Sequence, residues 1–285
     1  MIRCADDETP VLLFVDEGMS GVAGKLHRKH VETCLSADAV VCSNRPAAER
    51  LLAVDGMPSV SVIEPGLRYE LPSGIEKQRS QQEIRAALAR AHPILRVDQG
   101  QPLVVTACRM DQENDLKTLV RAWPLVLKQY PGAKLWVLGQ GKNTGKIWHS
   151  IVEHDISYSA VLPGYFDELN DIFCAADVYV EPCGQDQLGD GLTRALTAGL
   201  CSIATRNPWT AEWIESSVNG LLVPTNDCEA MAKSILYAIS NESWRLEVGR
   251  ESKNQFAKRF RPAEQAKQYA ELVFNLSGQM VETAK

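Results

Sequence analysis

The chain has 285 residues, of which 45% are hydrophobic and 23% are charged, and its formal net charge is −6. This composition is typical of a soluble globular protein with a substantial buried core, in one large domain or two modest ones. The negative charge and the lack of Lys/Arg runs argue against a nucleic-acid partner. The longest early apolar stretch, VLLFV at 11–15, is too short for a signal peptide or a membrane span, so we expect a cytoplasmic protein.

Short apolar segments alternate with amphipathic helical patterns along most of the chain. The clearest helix is predicted over 114–130, where Leu116, Leu119 and Leu127 recur on one face. Fully apolar strands that alternate with helices predict an α/β fold with a parallel sheet covered on both faces. The predicted strands are 11–15, 39–42, 60–63, 103–107, 134–138, 160–162, 178–181, 201–204 and 221–223.

Pro, Gly and polar residues interrupt this alternation at about 70–100, where one polar helix precedes a fresh strand. Further along, Gly249 and RFRP at 259–262 are predicted to separate the C-terminal helices. We therefore predict a partial α/β segment over 1–75, a linker over 76–100, a full α/β domain over 101–262 and a C-terminal helix over 263–285.

The cysteines and histidines do not predict a metal centre. The eight cysteines form no Cys-x-x-Cys pair, which indicates buried thiols rather than a disulfide framework or a zinc site. In HRKH, His27 and His30 share one helix face at a spacing that fits a metal ion. The neighbouring sequence offers no third ligand, so we predict a solvated basic face there.

Loops that contain glycine or asparagine follow four of the predicted strands, at the sheet edge where open parallel sheets bind ligands. They are CRMDQEND (108–115), GQGKNTG (139–145), CGQDQLGDG (183–191) and TRNPWTAE (205–212). Their backbone N–H groups and the dipoles of the following helices would converge on an anion. The alternative is that these glycines only make tight strand–helix turns, and the residues alone leave both interpretations open.

Five segments, taken in order, resemble the family 4 (group 1) glycosyltransferases of the GT-B fold. The resemblance runs from about Asp38 to Leu276. It implies a GT-B-type α/β fold in which the Rossmann-like domain of 101–262 binds a nucleotide-sugar, UDP- or GDP-linked, with no cofactor or metal. The N-terminal portion would be an incomplete acceptor domain. The segments are ACRMDQENDLKTLVRAW, LWVLGQGK, VLPGYFDELNDIFCAADVYVEP, LTRALTAGLCSIAT and WIESSVNGLLVPTNDCEAMAKSI.

The resemblance also implies roles for particular residues. Arg109 matches the family's arginine that neutralises the donor diphosphate, a task that suits a planar guanidinium. Asp186 matches the first carboxylate of the family's Glu-x7-Glu motif, so Arg109 and Asp186 are the predicted catalytic residues. The predicted donor-binding residues are Gly139, Gly141, Gly164, Tyr165, Gly189, Asp190, Gly191, Arg194 and Glu212.

Three positions depart from the family pattern. Asn114 stands where the family has a second lysine for the diphosphate, and Arg194 stands where its second glutamate accepts hydrogen bonds from ribose, which an arginine cannot do. NPWTAE at 207–212 replaces GGxPE, which puts a ring where glycines leave space for the sugar. Alternatively, the i, i+4 spacing of Asp190 and Arg194 predicts a surface ion pair worth about 0.3 kcal/mol.

Two functions stay open on the sequence. One is a retaining glycosyltransferase that moves a sugar from a nucleotide-sugar to a hydroxyl of a glycan or lipid-linked acceptor, at the inner face of the membrane or free in the cytoplasm. The other is a non-catalytic nucleotide-binding or scaffold subunit of a polysaccharide assembly system. The altered motif and the short N-terminal portion favour the second, because an open sheet edge favours self-association or a partner subunit. A sugar-nucleotide epimerase has only the fold in its support.

Overall fold

Two units make up the chain. The computed structural model describes residues 11–15, 28–43, 45–64, 80–110, 115–182, 190–259 and 261–283. The first unit comprises residues 1–68 together with 259–285, and the second comprises residues 69–258. None of the helices in the described ranges is long and apolar enough to cross a membrane.

Among the described residues, strands and helices alternate from residue 12 to residue 240, and two further helices follow. The strands are β1 (Leu12–Val15), β2 (Ala39–Cys42), β3 (Ser59–Val62), β4 (Leu103–Ala107), β5 (Lys134–Leu138), β6 (Ala160–Gly164), β7 (Val178–Glu181), β8 (Ser202–Thr205) and β9 (Leu221–Val223). The helices are α1 (Arg28–Leu35), α2 (Arg45–Leu52), α3 (Gln81–Ala91), α4 (Leu116–Gln129), α5 (Thr144–Glu153), α6 (Asn170–Ala175), α7 (Asp190–Ala198), α8 (Pro208–Trp213), α9 (Cys228–Ser240), α10 (Glu242–Arg259) and α11 (Pro262–Thr283).

Every predicted strand is present within two residues of its predicted bounds, because short β-branched runs between turn residues are a local signal of a buried strand. All strand pairs among the described residues are parallel. The predicted α/β class is therefore confirmed.

The first unit contains a three-stranded sheet in the order β1-β2-β3. All four residues of the middle strand, β2, are buried, and Cys34, Ala48 and Leu51 from the two neighbouring helices pack with them. Cys34 and Cys42 are buried thiols, as the sequence predicts, whereas Cys174 in the second unit is exposed, contrary to that prediction. Arg259, in the C-terminal part of this unit, forms an ion pair with Glu64 after β3.

The second unit contains a six-stranded sheet in the order β6-β5-β4-β7-β8-β9. On one face, Val104, Val178 and Ile203 join a core cluster with apolar residues of α4, α5 and α9. The next residue of β7, Tyr179, points to the opposite face and contacts the ring of Phe173 on α6. The side-chain alternation of strands thus buries both faces of this sheet, as predicted.

Helix α3 belongs to the second unit, although the sequence places it in a linker over 76–100. The reason is a buried arginine that the polar composition of this helix conceals. Arg85 Nε donates to the carbonyl oxygen of Ala175 at 2.8 Å, and Arg85 Nη2 donates to Asp177 Oδ2 at 2.8 Å. Asp177 also accepts a hydrogen bond from Leu103 N at the start of β4, which fastens α3 to the sheet.

Gly249 does not separate two helices, contrary to the prediction, because it lies inside the continuous helix α10. A Cβ atom at this position would lie 2.1 Å from the carbonyl oxygen of Gly199, just after α7. Glycine is needed here for close helix packing, not for a turn. The RFRP segment does separate α10 from α11, as predicted.

Candidate functional site

The carboxyl edge of the six-stranded sheet has the topology of a ligand site. From β4 the chain moves outward through β5 to β6, then returns to the other side of β4 to form β7 and continues outward to β9. The loops that follow β4 and β7 therefore leave the sheet in opposite directions. A crevice opens at such a switch point, and ligands of open parallel sheets bind there.

Close backbone contact joins the loops that follow β4, β5 and β6. Gly139 has φ +122°, and a Cβ atom on it would lie 2.0 Å from the carbonyl oxygen of Cys108. Its N–H donates to the carbonyl oxygen of Gly164 at 2.8 Å, and Gly164 has φ +97°. Only glycine meets both the left-handed conformation and the close approach at 139. The structure therefore brings together two predicted donor-binding glycines, Gly139 and Gly164.

The amide of Gly141 is used within its own loop. It donates to Thr144 Oγ1 at 3.0 Å, while the same hydroxyl donates to the carbonyl oxygen of Gly141 at 2.7 Å. Asn143 N donates to the carbonyl oxygen of Met110, which joins this loop to the one after β4. Gly141 therefore shapes the loop through an internal turn, and its N–H already has an acceptor.

Helix α7 begins directly above the carboxyl ends of β4 and β7. A Cβ atom at Gly191 would lie 2.5 Å from the carbonyl oxygen of Ala107 and 2.2 Å from the hydroxyl oxygen of Tyr179. That hydroxyl lies 2.6 Å from Glu181 Oε2, and the Glu181 carboxylate is buried at the end of β7. Gly191 thus lets the first turn of α7, with its N–H groups and positive dipole end, reach the switch point.

Asp115, at the start of α4, joins four loops of this edge. Its carboxylate accepts hydrogen bonds from Asn226 N at 3.1 and 3.2 Å, from Thr205 Oγ1 at 3.2 Å and from the hydroxyl of Thr118. Its own N–H donates to the carbonyl oxygen of Pro182, the last described residue before the loop after β7. Asn226 is held at φ +59°. Asp115 therefore sets the relative positions of the loops after β4, β7, β8 and β9.

The turn into α8 uses its own amides. Asn207 Oδ1 accepts hydrogen bonds from Trp209 N at 2.9 Å and Thr210 N at 2.8 Å, and Thr210 Oγ1 accepts one from Asn207 N. Trp209 is 2% exposed, so its ring packs inside the unit. Where the family resemblance implies glycines that leave space for the sugar, this chain has a closed capping box, and the Trp209 ring is buried rather than in that space.

The predicted site residues that carry side chains lie at the ends of several strands. Arg109 is exposed just after β4, and Tyr165 is exposed just after β6. On α7, Arg194 Nη1 lies 3.5 Å from the carbonyl oxygen of Asp167 in the loop after β6. Glu212 lies half-buried on α8. The remaining predicted positions lie outside the residues that the structure describes: Asn114, Asp186, Gly189 and the side chain of Asp190. The predicted Asp190–Arg194 ion pair therefore also lies outside them.

Sequence reasoning missed the residues that hold the loops together. Asp115, Glu181 and Asn207 are buried polar residues at strand ends or helix starts, with relative exposures of 6%, 2% and 5%. The local signal for Asn207 was the N-P dipeptide with Thr three residues on, which fits a helix cap. Asp115 and Glu181 had no such signal, because their partners lie far away in the sequence.

The segment of the chain that forms this edge is similar in sequence to a known protein family. Residues 101–241 match the family described as glycosyl transferases group 1. This range contains all six strands of the second sheet and the loops at their carboxyl ends. Residues 101–241, just under half of the chain, are therefore similar to the group 1 glycosyltransferases.

One curated protein with a similar sequence is considerably longer than the segment that it shares with this chain. It is the lipopolysaccharide core biosynthesis glycosyltransferase LpsE of Rhizobium meliloti (strain 1021), which is 24% identical over 147 residues. The match covers 52% of this chain and 42% of LpsE. The chain therefore spans less than half of that relative.

Solved structures share the fold of most of the chain. HepE of Anabaena, crystallised with UDP and glucose, has a TM-score of 0.77 and 14% identity over 93% of this chain and 71% of HepE. Sucrose-phosphate synthase of Thermosynechococcus elongatus has a TM-score of 0.76 and 20% identity over 94% of this chain and 68% of the synthase. These matches confirm the GT-B type of α/β fold.

Proposed function

We propose that this protein binds a nucleotide-sugar, UDP- or GDP-linked, at the carboxyl edge of the six-stranded sheet and transfers the sugar to an acceptor hydroxyl on a glycan or lipid-linked glycan. One observation carries the proposal. Gly191 places the start of α7 on the carboxyl ends of β4 and β7, at the switch point of the sheet. A helix start in that position offers N–H donors and a positive dipole end to a diphosphate.

The charge of this edge supports an anionic ligand. Arg109, Lys142 and Arg206 are exposed cations that follow β4, β5 and β8, in a chain whose net charge is −6. Exposed cations at strand ends can pair with the phosphate oxygens of an anionic ligand, although the loop after β6 at this edge also carries the exposed carboxylates Asp167 and Glu168. Of the three, Arg109 stands at the switch point, and its fork of N–H donors suits a diphosphate.

The chemistry proposed is transfer with retention of configuration, without a metal ion. In this reaction the bond between the sugar and the diphosphate breaks, and the protein stabilises the negative charge that develops on the departing diphosphate. Arg109 and the first turn of α7 would supply that stabilisation. Asp186, one of the two residues predicted to be catalytic, would contact the donor sugar.

Calorimetric titration with UDP, GDP and ADP tests the donor site. We expect saturable binding of one nucleotide by the unmodified chain and at least tenfold weaker binding by Arg109→Ala. The matched control is Arg121→Ala, which removes an exposed arginine from α4 and leaves the carboxyl edge intact. The absence of binding at millimolar nucleotide, or equal weakening by both variants, would contradict the proposal.

A second candidate, a glycosyltransferase-like protein that binds a nucleotide without catalysis, has its own support. The amides of Trp209 and Thr210 are already bonded to Asn207, and Arg194 takes the place of a ribose acceptor. The two functions differ in turnover. Release of free nucleotide from the nucleotide-sugar in the presence of acceptor glycans favours transfer, whereas tight binding without release favours the second candidate.

Arg194→Glu separates the two candidates further. This variant restores a hydrogen-bond acceptor at the position where the family resemblance implies a ribose contact. If the nucleotide occupies the predicted site, its affinity should rise several-fold. An unchanged affinity in Arg194→Glu, with binding still lost in Arg109→Ala, would place the ribose elsewhere.

The first unit suggests self-association. Among the described residues, β1 pairs with β2 alone, and Phe14 on β1 is 49% exposed. An edge strand of this kind is a template for pairing with another strand. We propose that a second copy of the chain covers it. Sedimentation velocity should show a concentration-dependent dimer that Phe14→Lys weakens, and a monomer at all concentrations would refute the idea.

A further inference from the structure

We propose that a second ligand site lies at the opposite, amino edge of the six-stranded sheet, and that it binds a small hydroxylated phosphate monoester. A cavity of about 920 Å³ opens there. Its walls come from α3, from residues 96–102 and from the junction of α9 and α10. Ligand cavities in proteins are commonly about 300–1,000 Å³. We call it the amino-edge cavity.

The floor of the amino-edge cavity carries more positive than negative charge. The side chains of Arg85 and Arg245 are 8% and 13% exposed, and the Asp177 carboxylate between them is 14% exposed. Asp177 Oδ2 lies 2.8 Å from Arg85, whereas Asp177 Oδ1 lies 3.7 Å from Arg245. The nearest other carboxylate, that of Glu242, is 4.0 Å from Arg245 and 76% exposed. Two buried cations thus share one buried anion.

An excess buried charge is costly unless a counter-charge is near, and arginine cannot lose its proton to relieve it. Toward the residues that the structure describes, both guanidinium groups also leave N–H donors unused. Arg85 uses three of its N–H groups on Ala175, Gln101 and Asp177. Arg245 uses Nη1 on the carbonyl oxygens of two residues at the end of α9. A guanidinium has five N–H donors, so each can still bond an anion.

The rim adds two exposed arginines and a polar lining. Among the described residues Arg96 pairs with Asp98, at 3.0 Å and with both side chains more than half exposed, so this pair is weak and can open. Arg90 lines the same cavity from α3. Gln82 and Gln99 supply amide groups that suit ligand hydroxyls. Arginine forks bind phosphate oxygens in pairs, which favours a phosphate monoester.

This site is distinct from the proposed donor site. Strand β4 runs from Leu103, beside the cavity, to Ala107, beside Gly191. Four residue steps of extended chain separate the two edges by about 13 Å. Anion binding at one edge can therefore be removed without the other, and the proposal does not depend on the nucleotide-sugar function.

The test is calorimetric titration with glycerol 3-phosphate, inorganic phosphate and glycerol at constant ionic strength. In the Arg109→Gln background, which weakens the donor edge, we expect saturable binding of glycerol 3-phosphate. The double variant Arg90→Gln/Arg96→Gln should raise the dissociation constant at least fivefold. The control Arg121→Gln/Arg250→Gln, which removes two exposed arginines elsewhere, should change it less than twofold.

Three results would overturn the proposal. One is an equal loss of binding in both double variants, which indicates general charge attraction only. Another is a loss of all phosphate binding in Arg109→Gln, which places the anion at the donor edge. The third is heat that chloride reproduces at the same ionic strength. Tighter binding of glycerol 3-phosphate than of inorganic phosphate, with no binding of glycerol, supports a hydroxylated monoester over a bare anion.

Discussion

Replacement of Asp115 should destabilise the second unit more than replacement of an ordinary helix cap. The Asp115 carboxylate is the acceptor for the hydroxyls of Thr118 and Thr205 and for Asn226 N. Thr118 and Thr205 are 3% and 0% exposed, so water cannot replace the lost acceptor. Asp115→Ala leaves all three of these donors without the carboxylate acceptor.

The magnitude follows from the fate of each donor. A buried polar group without a partner costs about 1–3 kcal/mol. The Thr118 hydroxyl can turn to a carbonyl of its own helix, and Asn226 is exposed to water, so Thr205 bears most of the cost. We expect a loss of about 2–4 kcal/mol in the free energy of unfolding for Asp115→Ala. Asp115→Asn keeps one acceptor oxygen and should lose about 1–2 kcal/mol.

Urea unfolding followed by tryptophan fluorescence measures this loss, because all six tryptophans lie in the second unit. The matched control is Asp227→Ala. Asp227 caps α9 with a single local bond to Ala230 N, so its removal should cost about 1 kcal/mol. A double-mutant cycle of Asp115→Asn with Thr205→Val should give a coupling of about 1 kcal/mol.

Two results would refute this account of Asp115. If Asp115→Ala is no less stable than Asp227→Ala, the four-loop network does not contribute to stability. If the effects of Asp115→Asn and Thr205→Val are additive, the two side chains do not interact in solution. Nucleotide affinity measured on the folded Asp115→Asn variant then tells whether the network also positions the donor loops.

Three further outcomes are expected. Gly249→Ala should cost about 1–3 kcal/mol in urea unfolding, because its Cβ would meet the Gly199 carbonyl oxygen, whereas Gly145→Ala, with open space in α5, should stabilise by about 0.5 kcal/mol. Burial raises the pKa of Cys201 from 9.0 to about 12. Between these two pH values only the unfolded thiol ionises, so this group lowers the free energy of unfolding by about 1.4 kcal/mol per pH unit. Cys201→Ala should remove this contribution to the pH dependence of stability, measured by urea unfolding at alkaline pH. Asn226→Gly should preserve stability and Asn226→Ala should cost about 1 kcal/mol, because φ is +59°.

Much of the fold was predictable from local pattern. The strands over 103–107, 134–138 and 178–181 are found at their predicted bounds, since a buried parallel strand is a short apolar run whatever lies around it. The loops of the candidate site were predictable for the same reason, because they are the segments that follow those strands. The packing of α3 within the second unit was not predictable from local pattern. It depends on the buried pair of Arg85 and Asp177, which lie 92 positions apart in the sequence.

The sequence by itself determined the order and type of most elements, the parallel α/β class and the set of loops that follow the strands of the second sheet. It determined these because strand and helix periodicity, turn residues and the family motif are read over short stretches. Only the tertiary structure decided that Asp115 joins four loops, that Gly191 lies on the ends of β4 and β7, and that Arg85 and Arg245 share one carboxylate. Those facts depend on contacts between residues that are distant in the sequence, and no local pattern predicts which residue pairs with a buried charge.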